Sequence, residues 1–136
     1  MTYRFTARVA TTELDPDGYF TEAALAESED GSGFILMFMA GEEDPDDQEV
    51  ALGTDTHCLV TAGQGTAYGC VREAVLTGNV LRVSLHPEAL ENLRLSDGEI
   101  EAVIEAPAED VLLFREILAR VLAYGRADAV PSRVSV

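Results

Sequence analysis

Beyond its carboxylates, this chain of 136 residues holds few groups suited to nucleophilic or proton-transfer chemistry: two histidines, His57 and His86, and two cysteines, Cys58 and Cys70. A thiol or hydroxyl nucleophile needs a base within hydrogen-bond reach. His57 and Cys58 are neighbours on an expected strand, so their side chains point to opposite faces and do not pair. His86 precedes Pro87 and reads as the entry to a short helix. No Cys/His spacing suits zinc. Paired carboxylates can perform acid–base catalysis, but with 25 acidic residues no single pair stands out. The sequence therefore assigns no catalytic residue, no metal ligand and no cofactor.

Three short motifs come near to ligand loops. Gly63-Gln64-Gly65-Thr66-Ala67-Tyr68-Gly69 resembles a phosphate loop, but its last glycine is one residue late and a strand follows where a helix is needed. A tight turn between strands explains it better. Asp15-Pro16-Asp17-Gly18 has the start of a calcium loop without the remaining ligands, and reads as a turn. Glu42 to Glu49 is rich in carboxylates but lacks the alternating ligand spacing of a cation site.

Charge is the more telling feature. From Val9 to Val71 there are fourteen acidic residues and no Arg or Lys, and six of the acids fall within Glu42-Glu43-Asp44-Pro45-Asp46-Asp47-Gln48-Glu49. The net charge is −16, yet 47% of residues are apolar, enough for a folded core. Such a field repels nucleic acid and anionic membrane and attracts basic partners over about 8–10 Å. Arg4 and Arg8 share a strand face but stand isolated in this field, so neither nucleic acid nor membrane is an expected partner. The acidic run has two readings, a solvated loop and a partner-facing surface. No signal-peptide pattern opens the chain, and its longest apolar run, Phe34 to Ala40, is far below the ~20 residues of a membrane helix. A soluble cytoplasmic protein with buried free thiols is expected.

The elements that must position these residues follow from periodicity. Tyr3, Phe5, Ala7 and Val9 alternate with polar neighbours and predict a strand. A second strand is expected at 19–26, and the apolar run Phe34 to Met39 predicts a central strand covered on both faces. His57 to Thr61 is a fourth. Ala67 to Leu76 and Val80 to Leu85 form a hairpin at Thr77-Gly78-Asn79. Pro87 to Arg94 is a short helix, and Ile100 to Ile104 a last strand. Ala108 to Tyr124 is an amphipathic helix with the stripe Val111, Phe114, Ile117, Leu118, Val121 and Leu122. The pattern is α+β: a single mainly antiparallel sheet with the short helix and the C-terminal helix packed on one face. One domain over 1–127 and a loose tail over 128–136 are expected.

The succession from Gln64-Gly65 and Tyr68-Gly69 through Val71 to Leu76, Val80 to Leu85 and His86-Pro87-Glu88-Ala89-Leu90-Glu91-Asn92-Leu93 to the helix around Val111 to Leu118 resembles the immunity protein 10 family of bacterial polymorphic toxin systems. The aromatic strand Tyr3 to Val9 also fits. The resemblance implies a non-catalytic cytoplasmic protein that binds and neutralises a cognate toxin domain. The acidic field suits a basic toxin, since opposite fields speed encounter. On this reading Glu42, Glu43, Asp44, Asp46, Asp47 and Glu49 contribute to association, with Gln64 and Tyr68 added from the family turn. The alternative is an acidic secretion chaperone or adaptor that holds a client segment. Oligomeric state is not legible.

Overall fold

The computed structural model describes residues 3–14, 20–30, 32–41, 56–61, 65–125 and 130–136. Ten strands form two five-stranded sheets, correcting the expected single sheet. The first sheet has the order β1 (Tyr3–Ala7), β9 (Glu99–Ile104), β8 (Val80–Leu85), β7 (Val71–Thr77), β10 (Arg133–Ser135). The second runs β2 (Val9–Leu14), β3 (Thr21–Ala26), β4 (Ile35–Ala40), β5 (Cys58–Thr61), β6 (Thr66–Tyr68). Pairing is antiparallel except for β1 with β9 and β10 with β7. A 3-10 turn, Pro87–Ala89, leads into the one-turn helix α1 (Leu90–Leu93), and α2 spans Ala108–Leu122.

Two expected strands turn out to be strand pairs that pass from one sheet to the other. At Arg8 the chain leaves β9 for β3: Glu105 N–H donates to Ala7 O, and Arg8 N–H donates to Ala26 O. At Gly69 the hairpin arm expected over 67–76 divides into β6 and β7. Gly69 has φ 63°, a conformation that only glycine adopts without strain, and its N–H donates to His57 O. In the sequence the apolar positions run on past Arg8 to Val9 and past Gly69 to Cys70 and Val71, so periodicity merges the sheets. In the structure the inward phase shifts at each crossing, to Ala10 after Arg8 and to Val71 and Ala74 after Gly69.

The inward faces of both sheets share one core: Phe5, Leu25, Leu36, Phe38, Leu59, Leu81, Val83, Ile100 and their neighbours. The predicted stripe of α2 joins it through Phe114, Ile117, Leu118, Val121 and Leu122. The helix lies across β2, β3 and β4, where Ala10 and Ala23 leave room for close approach. This explains an Ala-rich strand, Thr21–Ala26: helix propensity loses to pairing on both edges and packing from within. Beyond α2, where a loose tail was expected, Arg133–Ser135 pairs with β7 and Ser132 N–H donates to Arg72 O. All three strand residues are exposed, so no buried pattern announces β10.

The largest correction concerns β4. It is central, as expected, but among the described residues only its inward face joins the core: Leu36, Phe38 and Ala40 are buried there, while Ile35, Met37 and Met39 are partly exposed and lie outside it. The two helices both pack from the inward side. The hydroxyl of Thr61, in register with inward-facing Leu36, donates to Leu93 O of α1 at 2.8 Å.

Candidate partner-binding surface

Of the four residues that could do chemistry, His57, Cys58 and Cys70 are buried and His86 is exposed. His57 is fully buried, and its Nε2 accepts a hydrogen bond from Val71 N–H at 3.1 Å. The neutral ring therefore carries its proton on Nδ1, which has no partner among the described residues. Burial, reinforced by the positive charge that His86 can carry, lowers the pKa of His57 from 6.5 to about 4. Cys70 is 2% exposed, and burial pushes its thiol up to about 12. Burial also raises Cys58, opposed by a hydrogen bond from Tyr68. Neither cysteine offers a thiolate near neutral pH. As expected, His57 and Cys58 face opposite ways: His57 bonds inward, while Cys58 meets Tyr68 on the outer side. A cleft of about 400 Å³ lies between Tyr68, Cys70, His86, Glu88 and Asn92. Its only carboxylate and its imidazole belong to one short turn, and no described nucleophile with a lowered pKa faces them.

Of the residues expected to meet a partner, Glu42, Glu43, Asp44, Asp46, Asp47, Glu49 and Gln64 lie outside the described residues. Tyr68 ends β6 and is 48% exposed. It closes a row of residues that strand register sets side by side across the second sheet: Glu13, Glu22, Met39, Cys58, Tyr68. The next row outward from the same face is Thr11, Ala24, Met37, Val60, Thr66, and a third is Val9, Ala26, Ile35. None of these apolar side chains belongs to the core. The result is an outward sheet face built of Val, Ile, Ala and Met, with a tyrosine at one margin and two carboxylates at the other. Burial, followed by the facing charge of Glu13, raises the pKa of Glu22.

The sequence singles out Tyr68 and none of the other residues of this face. The missed signal was the composition of Ile35–Ala40: methionine at alternate positions, opposite leucine and phenylalanine. A strand buried on both faces has less reason to sort its side chains in this way.

The family glycines acquire structural reasons. A Cβ on Gly65 would meet Leu93 O at 2.5 Å and Thr61 Oγ1 at 2.7 Å. Gly65 itself thus lies against α1, and its carbonyl accepts from Thr61 N–H at 2.9 Å. Gly69 turns the chain between sheets.

The described residues form a two-sheet α+β protein whose two thiols are buried. The sequence model of the family Immunity protein 10 matches residues 6–112, most of the chain. The chain belongs to the Immunity protein 10 family. No curated protein matches it, and no solved structure does.

Proposed function

We propose that this chain is a non-catalytic immunity protein that binds and neutralises a cognate bacterial toxin domain. The family match over residues 6–112 carries the reading. The charge of −16 supports a basic partner, because opposite fields raise association rates toward about 10⁸–10⁹ M⁻¹s⁻¹ at low salt. In this proposal the acidic run contributes steering through Glu42, Glu43, Asp44, Asp46, Asp47 and Glu49. Gln64 and Tyr68 contribute contacts from the turn and β6. Rim charges chiefly set the on-rate, so lasting affinity requires apolar anchors as well.

The test first looks for a large secreted protein encoded beside this gene, and then pairs this chain with the C-terminal domain of that protein. Co-expression should restore growth of cells poisoned by that domain, and the two purified proteins should form a complex that lacks toxin activity. A complex formed only with an extended, unfolded segment, leaving the toxin active, would instead identify a chaperone.

A further inference from the structure

On the outward face of the second sheet Ile35, Met37, Met39 and Val60 are partly exposed, and both described helices pack on the opposite face. Four inter-strand steps of ~4.8 Å make the outward face about 19 Å wide, and its three rows cover about 14 Å along the strands. That is roughly 270 Å², below the ~300–600 Å² of the largest apolar patch on a typical monomer, so the composition and charge of the face mark it rather than its size. Its residue types suit recognition: methionine adapts to a partner's shape, and tyrosine is enriched in interface cores.

The margin of the patch names the partner's charge. Glu13 and Glu22 are directly paired across β2 and β3, with Met39 beside Glu22. Like charges placed opposite each other on a sheet are destabilising, and Arg4 and Arg82 pair with Glu101 on the other sheet, not with these two carboxylates. A guanidinium or ammonium set between the two carboxylates would relieve that repulsion. A second copy of this chain would not: it would bring another −16 and another pair of glutamates.

We propose that this face is the docking surface for the basic toxin domain, which seats an apolar side chain over Met37 and Met39 and an Arg or Lys between Glu13 and Glu22. This rests on the reading of the chain as an immunity protein. Tyr68 packs at the far margin of the same contact. The acidic run of residues 42–49 then acts on encounter, and this face on residence.

The experiment is a calorimetric titration of the neighbouring gene's toxin domain, made inactive, into the wild type and three variants. M37A/M39A should weaken binding by about thirtyfold or more, as loss of interface anchors does. E13Q/E22Q should weaken it by about tenfold and flatten its salt dependence. L112A/L113A, on the exposed side of α2, should bind as wild type. Hydrogen exchange on the wild-type complex should show new protection in β3, β4 and β5, a readout that needs no variant to fold. Wild-type binding and neutralisation, with both face variants within twofold of wild type and no protection in these strands, would overturn the docking surface while leaving the function intact. No binding by the wild type would remove the function and this surface with it. Self-association that M37A/M39A abolishes, without effect on toxin binding, would make the face a contact between copies and overturn the proposal.

Discussion

Replacing His57 by glutamine should flatten the acid side of the protein's stability profile. His57 is wholly buried and neutral, with a pKa lowered from 6.5 to about 4 chiefly by burial. As pH falls through 6.5 the unfolded chain takes up a proton that the folded chain refuses until about 4. The unfolded state then binds more protons, so stability falls with falling pH. It is complete above the unfolded value and lost progressively between the two. At 1.36 kcal/mol per unit, the whole gap is worth roughly 3 kcal/mol, of which about 2 kcal/mol is gone by about pH 5. Glutamine keeps an oxygen acceptor for Val71 N–H but does not titrate. Urea unfolding of wild type and H57Q at about pH 7.5 and about pH 5 isolates the effect, because the carboxylates titrate alike in both. The difference between the two proteins should narrow by about 2 kcal/mol over this interval. Parallel profiles would refute a buried neutral His57.

Gly65→Ala should cost about 2 kcal/mol or more, since its Cβ would strike the carbonyl of Leu93, and the urea midpoint reads this directly. Cys70 should resist alkylation near neutral pH in the folded protein and react at once in denaturant, because its thiol is buried with a pKa near 12; rapid labelling of the native protein would contradict that placement. Glu22→Gln should leave the free protein as stable or up to about 1 kcal/mol more stable, by ending the cross-strand repulsion with Glu13, while it weakens toxin binding. A loss of stability in the thermal midpoint would show that Glu22 serves the fold.

Much of the fold is legible in the residues. The stripe from Phe114 to Leu122 gives α2, Thr77-Gly78-Asn79 gives the β7–β8 hairpin, and Pro87 gives the short helix. What periodicity does not carry is which sheet a strand joins. Apolar residues run on past Arg8 to Val9 and past Gly69 to Val71, so two strand pairs each read as one strand and two sheets as one. β10 is hidden for the opposite reason: backbone pairing holds it and no side chain is buried. Of the candidate site, Tyr68 was visible as part of the turn motif. Its neighbours Glu13, Glu22, Met37 and Met39 come from three other strands, and only register brings them together. Continuous hydrophobicity over Phe34–Ala40 hid the difference between a core face and an open one. The acidic run of residues 42–49 lies outside the described residues, and its place in the proposal rests on charge alone.

The central claim is neutralisation of a toxin by binding. The most direct test measures the activity of the neighbouring gene's C-terminal toxin domain against increasing amounts of this chain. The account predicts that activity falls to background at one equivalent, with the domain held folded in the complex. Full toxin activity in the presence of excess chain would contradict it.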